Sequence, residues 1–239
     1  MEALNPLKKS FEAMNIENSQ ELIEKFRIYM EGVLEWNEKV NLTTITDPDE
    51  FVIKHFIDSN ICANYPEYIN AVKIIDVGTG AGFPGIPLKI VRPDLKITLV
   101  DSLNKIINFL NIVIDELELK NITTVHSRIE DFGKNKQYRE KFDYVTARAV
   151  ANLAVLYEYL LPITKVGGQA IVMKGSNVKE ELDDGKKAIG ILGGKLNCVD
   201  EFVLPDSDIF RNVVVIDKIK NTPGRFPRKA GVPSKEPIK

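Results

Sequence analysis

Cysteine, histidine and tryptophan are scarce in this 239-residue chain, which has two, two and one of them. Cys62 and Cys198 lie far apart, no C-x-x-C occurs, and only His55 and His126 could join them as ligands. That argues against a disulfide framework or a zinc site, and both thiols are expected as small core residues, with no metal bound. Also missing is any apolar run approaching ~18 residues, the length that crosses a bilayer. The opening M-E-A-L-N-P lacks a basic-then-apolar signal, so a cytoplasmic protein without membrane contact is expected. Net charge is only −2, yet this small sum hides an asymmetry. Residues 218–239 hold seven basic side chains against the single acid Glu236, a balance of +6, so the other 217 residues carry −8. A basic tail on an acidic body fits a grip on nucleic acid, and from charge alone fits a solvated terminus nearly as well. Four prolines (Pro223, Pro227, Pro233, Pro237) predict that this tail is extended and helix-free.

What the chain does have is an organising stretch from Val72 to Gly85, V-K-I-I-D-V-G-T-G-A-G-F-P-G. A β-rich apolar run ends in Asp76, and Gly78, Gly80 and Gly82 follow at alternate positions. Without Cβ atoms such a turn lets the backbone pass close to a ligand, and positive φ costs little there. A helix with proline in its first turn should come next. Two ligand classes use this unit. Gly80, Gly82 and Gly85 satisfy the dinucleotide fingerprint G-x-G-x-x-G, which seats a pyrophosphate on the helix N-terminus. Asp76, Gly78, Gly80 and Gly82 instead form the acidic-x-G-x-G-x-G pattern of S-adenosylmethionine enzymes, in which a carboxylate has the cofactor's α-ammonium to meet.

With 44% hydrophobic residues the chain can bury one sizeable core. Residues 1–70 read as a helical extension, a lid or a packing layer. Asn5-Pro6 opens a first helix, Asn18 or Ser19 a second with Leu22, Phe26, Val33 and Trp36 on one face, and the capping box Asp47 to Glu50 a third through His55, Phe56 and Ile61. His55, among apolar neighbours, reads as a satisfied structural histidine. A core over 71–217 alternates strands at 72–77, 97–101, 122–126, 142–147, 168–174, 196–204 and 212–219 with helices near 86–92, 103–118, 150–161 and 178–192. This predicts a Rossmann-like, doubly wound α/β sheet. The loop from 204 to 212 leaves no room for a crossover helix, so the last two strands should form a hairpin and the final strand run antiparallel. That is the S-adenosylmethionine methyltransferase variant of the fold, with 218–239 as its basic tail.

Ligands in such sheets sit beyond the carboxyl ends of the strands. There Asp101, followed by Ser102, can accept both ribose hydroxyls. Ser127 to Asp131, with Glu130, could read the edge of adenine, or could simply be acids at a helix start. Thr146-Ala147-Arg148 faces the reacting centre. No Asn/Asp-Pro-Pro-aromatic tetrapeptide, nucleophilic cysteine or carboxylate cluster stands at the fourth strand end. An acceptor already nucleophilic when neutral remains, such as a ring nitrogen, which needs orientation and no general base.

W-N-E-K-V-N-L-T (36–43), H-F-I-D-S (55–59), D-V-G-T-G-A-G-F-P-G-I-P-L (76–88), V-D-S-L-N-K (100–105), V-T-A-R-A-V-A (145–151) and K-I-K-N-T-P…P-R-K (218–229) together resemble the glucose-inhibited division protein B family. The resemblance covers nearly the whole chain and implies a bacterial enzyme that methylates N7 of a guanine in small-subunit ribosomal RNA, either free or in an assembling 30S particle. It implies S-adenosylmethionine as cofactor, lined by Gly78, Phe83, Ile129, Glu130 and Arg148. Arg148 and Lys174 would then lie near the target base, with Arg225, Arg228 and Lys229 on phosphates. Ile106 stands where an arginine is expected, which implies one RNA contact fewer, and Ile129 is bulkier than the usual alanine. A monomer is expected. The competing readings are a methyltransferase for a small molecule or protein, whose tail would be dispensable, and a non-catalytic dinucleotide-binding regulator.

Overall fold

The computed structural model describes residues 4–64, 72–176 and 178–238. Seven strands form one sheet in the order β3-β2-β1-β4-β5-β7-β6: β1 Lys73–Val77, β2 Lys96–Asp101, β3 Ile122–His126, β4 Phe142–Arg148, β5 Thr164–Lys174, β6 Gly194–Val203 and β7 Phe210–Lys218. The first five run parallel. β6 and β7 pair as the antiparallel hairpin that the short final loop requires, and β7 inserts antiparallel between β5 and β6, so β6 and not β7 is the edge strand. Strand β5 begins four residues before its expected start, because Gly167-Gly168 reads as a break. The pair is instead a close approach: a Cβ on Gly168 would strike the Asp143 carbonyl.

Pleating sends alternate residues of the central strands to opposite layers. Ile74 joins the core shared with α5 (Gly85–Val91) and α6 (Asn104–Glu116), whereas Ile75 and Val77 face α8 (Leu153–Leu160) and α9 (Val178–Ile191). The N-terminal helices α1 (Asn5–Ala13) and α2 (Gln20–Val40) bury Leu7, Phe11, Phe26 and Val33 in the first of these cores. They are a packing layer, and the part of the extension at 65–70 lies outside the described residues. Ile106, on α6, is 5% exposed in this core, so the side chain there packs and faces no phosphate.

Ser19 caps α2 by accepting from the Leu22 N–H. Asn5 is not the cap of α1; Leu4 holds that position, with no side-chain bond. Asp47 caps α3 (Pro48–Phe51) through the Glu50 N–H. The single third helix expected through Ile61 is instead broken: Val52–Ile57 widens to a π-helix before α4 (Asp58–Asn60) and a 3-10 turn. Helix α7 (Ile129–Lys134) follows β3, making Glu130 and Asp131 first-turn acids. The tail is not helix-free, since α10 spans Val232–Lys235, and it folds back on the body. Arg139 donates to the carbonyls of Thr222 and Phe226, and the buried Lys218 ammonium bonds the Leu161 carbonyl and Thr222. Cys62 is buried in the core, whereas Cys198 is only half-buried. No helix among the described residues is long and apolar enough to cross a membrane.

Candidate cofactor and acceptor sites

The turn after β1 is built around a buried carboxylate. Asp76 is fully buried, and its Oδ2 accepts from Thr79 Oγ1 at 2.6 Å and from the Gly85 N–H at 2.9 Å, while Oδ1 has no partner. Burial raises its pKa to about 6 against these bonds. Asp76 thus holds the turn closed from behind and is not on the wall of any cavity described below, where the sequence had placed it. Gly78, Gly80 and Gly82 have φ of 65°, 56° and 107°. A Cβ at Gly78 would lie 2.8 Å from Val150, and one at Gly82 2.6 Å from Ile86.

Those contacts decide between the two ligand classes. The N–H groups of Gly78 and Thr79 donate to the Val100 carbonyl, those of Gly82 and Phe83 to the Thr79 carbonyl, that of Gly80 to Asp101 and that of Gly85 to Asp76. A pyrophosphate cradle needs such donors free, and these six are already used within the protein.

A cavity of about 450 Å³ opens beyond β1, β2 and β3. Of the residues expected to hold the cofactor, Gly78, Asp101, Ser102, Ile129 and Glu130 line it. Asp101 accepts from the N–H groups of Gly80 (3.1 Å) and Leu103 (2.9 Å), which leaves each oxygen a second lone pair for ligand hydroxyls. With Asp101, Glu130 and only Arg128 as charged neighbours, the cavity suits a ligand bearing cationic groups and repels a diphosphate. The residues present therefore fit S-adenosylmethionine: Asp101 and Ser102 would hold its ribose, Glu130 its adenine, and the apolar Val77, Val100 and Ile129 the faces between. Gly80, Gly82, Phe83 and Arg148 are not on this wall, and Arg148 lines the neighbouring cavity instead. The first two shape the turn, and Phe83 lies under the neighbouring site. Val150, inside the stretch 145–151, also lines this wall, together with Tyr159 and Gly231, which no motif flagged.

A second cavity, of about 360 Å³, lies beyond β4 and β5, where the N-terminal layer meets the sheet. Arg148 enters it from the end of β4, donating to the Lys54 carbonyl (2.9 Å), Asp58 Oδ2 (3.0 Å) and His55 Nδ1 (3.0 Å), with its guanidinium 4.9 Å from the Phe83 ring centre. Arg211, from β7, holds Asp58 Oδ1 at 3.0 Å. His55 stacks on Phe83 with ring centres 4.5 Å apart and reaches Thr43 through Nε2 at 2.7 Å. The π-helical turn brings His55 to this cavity beside Asp58, and His55, buried and hydrogen-bonded through both ring nitrogens, is the satisfied histidine expected from its apolar neighbours. Burial, then the Arg148 charge, lowers its pKa to about 3. Ala149, next to Arg148 and between the two cavities, has φ 57°, a conformation that costs a non-glycine residue about 1–2 kcal/mol.

Lys174 also lines the second cavity, but its ammonium is bound to Glu181 (2.7 Å) and the Ala151 carbonyl. Arg225 and Lys229 are exposed. Arg228 is not available to a phosphate, because its guanidinium grips Glu158, whose side chain is 1% exposed. Among the described residues no group of three His, Cys, Asp or Glu side chains could hold a metal.

A family model described as rRNA small subunit methyltransferase G matches residues 22–210. The ribosomal RNA small subunit methyltransferase G of Clostridium perfringens (strain SM101) is 49% identical over 239 residues, all of both chains. That of Acetivibrio thermocellus is 54% identical over 226 residues, 94% of this chain and 91% of its own. Among solved structures, a SAM dependent methyltransferase from Aquifex aeolicus superposes on 75% of this chain and 97% of its own, with a TM-score of 0.52 at 18% identity. Precorrin-6y C5,15-methyltransferase from Geobacter metallireducens covers 67% of this chain and 87% of its own, with a TM-score of 0.50 at 11% identity. These last two likenesses are of fold.

Proposed function

The chain belongs to the rRNA small subunit methyltransferase G family, and from that premise we propose that it methylates N7 of a guanine in small-subunit ribosomal RNA, with S-adenosylmethionine as donor. When bound, that cofactor supplies an electrophilic sulfonium methyl group. Every other contribution comes from the chain. Asp101, Ser102 and Glu130 bind and orient the adenosine half, and the absent Cβ of Gly78 keeps the cavity open.

The observation that carries the acceptor chemistry is the state of His55. Arginine only donates, so the lone pair of Nδ1 is spent on Arg148 and the ring proton sits on Nε2, toward Thr43. The only imidazole in the acceptor cavity therefore cannot remove a proton. Guanine N7 asks for none, since its lone pair lies in the ring plane and no proton leaves on methylation. Arg148 and Arg211 offer donors that match O6, the acceptor beside N7 on the same edge of the base. The base would enter unstacked from its neighbours, with Arg225 and Lys229 on flanking phosphates. A monomer is the state proposed, and sedimentation at twice the chain mass would count against it.

The test is transfer of labelled methyl groups to small-subunit RNA from cells lacking the protein, offered free and as assembling particles, followed by nucleoside analysis. Label in 7-methylguanosine is expected. Label in another nucleoside would overturn the acceptor assignment, and label only in protein or small molecules would favour the competing enzyme.

A further inference from the structure

The C-terminal segment, expected to grip RNA, reaches the adenosine cavity. Gly231 forms part of its wall, and the Gly231 N–H donates to Glu130 Oε1 at 2.8 Å. Tyr159 lines the same wall, with its hydroxyl 2.8 Å from Ser234 Oγ. Between these contacts and the body stands an ion pair between the buried Glu158 and the half-buried Arg228. Glu158 lies inside α8, in the apolar run L-A-V-L-Y-E-Y-L, where an unpaired carboxylate would be costly. Its Oε1 accepts from the backbone N–H of Arg228 at 2.7 Å and from Nε at 3.0 Å, and its Oε2 from Nη2 at 2.7 Å. Nη2 also donates to the Glu236 carbonyl at 2.8 Å, which closes the loop 228–236 on itself.

We propose that residues 226–236 are a wall of the cofactor site, latched by Glu158 and Arg228, so that Arg228 is a positioning residue for the adenosine end and not an RNA contact. This rests on the reading that the cavity takes S-adenosylmethionine. Mechanically, one oxygen of Glu130 is fixed by the Gly231 N–H, which turns the other toward the cavity. A fixed carboxylate acceptor matches the 6-amino group of adenine, a donor. If the latch opens, Gly231 leaves, Glu130 swings freely and the pocket loses one side.

The experiment titrates S-adenosylhomocysteine, a stable analogue of the cofactor, into the full-length protein by calorimetry. In parallel, amide exchange over residues 229–234 is followed with and without it. Arg228→Ala should weaken binding by roughly tenfold, the scale of one hydrogen bond to a charged group, while Arg225→Ala leaves it unchanged. Ser234→Ala, at an exposed position that does not threaten folding, should weaken binding a few-fold and decides the matter if Arg228→Ala fails to fold. Exchange at 229–234 should slow on binding, a response that a purely structural tail would not give. Wild-type affinity in both variants, or exchange indifferent to the ligand, overturns the proposal. If the wild-type protein does not bind the analogue, it is the cofactor reading that falls.

Discussion

His55 turns a local bonding pattern into a measurable pH dependence. Its pKa is held at about 3 in the fold, by burial first and by Arg148 second, against about 6.5 in an unfolded chain. Between those values the unfolded state binds one more proton, so the histidine's contribution to stability is present above about pH 6.5 and is lost as pH falls. Asp76 acts in the opposite sense. Its raised pKa, about 6, makes the folded state bind the extra proton between that value and the ordinary carboxylate range. Comparison with His55→Gln, whose amide keeps a donor and an acceptor, cancels the Asp76 contribution. Urea unfolding at pH 7, 6 and 5 should show the wild type losing about 1.4 kcal/mol relative to the variant per pH unit below about 6.5. Parallel stability curves would show that the ring titrates in the fold as it does in the unfolded chain. Gly78 supports a second prediction at this scale. A valine there meets Val150 and must adopt φ 65°, so Gly78→Val should abolish S-adenosylhomocysteine binding while circular dichroism stays native; retained affinity would move the cofactor elsewhere.

Elements were legible where one rule governed them. Alternating strands and helices, a run of glycines after Asp76 and a loop too short for a crossover helix specify a mostly parallel sheet, its antiparallel hairpin and the wall of the adenosine cavity from Gly78 to Glu130, but not the insertion of β7 between β5 and β6. The acceptor cavity was not legible in the same way. The π-helical turn at Val52–Ile57 has the apolar spacing of any buried helix, yet its extra width points His55 and Asp58 at residues far along the chain, Arg148 and Arg211. Nothing local announces a bond between positions 58 and 211. The fate of Arg228 did leave a trace, the lone glutamate in the apolar run of α8, but a charge count over the tail does not ask where the partner of Glu158 is. Contact between elements also explains how the N-terminal layer serves the glycine turn. Tyr29 of α2, 1% exposed, donates its hydroxyl to the Ala81 carbonyl at 2.6 Å. Tyr29→Phe keeps the ring and orphans that carbonyl, so a loss of about 1–3 kcal/mol in urea unfolding is expected, together with weaker cofactor binding. A change in stability alone would mean that the turn keeps its shape without α2.

At the scale of the whole molecule, the +6 tail on a −8 body is less of a grip than it looks. Lys218 is buried at 1% exposure, and Arg228 serves Glu158. That leaves Lys220, Arg225, Lys229 and Lys235 as the exposed cations among the described tail residues. An acidic body repels RNA at long range, so these few charges and the arginine-lined cavity have to capture it locally, and capture of that kind is sensitive to salt. Cofactor binding should be far less so, because that cavity involves no phosphate. The two roles of the tail can therefore be separated in one titration series. Arg225→Ala combined with Lys229→Ala should leave S-adenosylhomocysteine affinity unchanged and reduce the slope of log affinity for RNA against log salt by about 1.4, at ~0.7 per phosphate contact on a single strand. Arg228→Ala should do the reverse, weakening the cofactor analogue with the RNA slope intact. If the double variant kept the full slope, Arg225 and Lys229 would face away from the RNA, and Lys220, Lys235 and the cations around Arg148 and Arg211 would have to account for the binding.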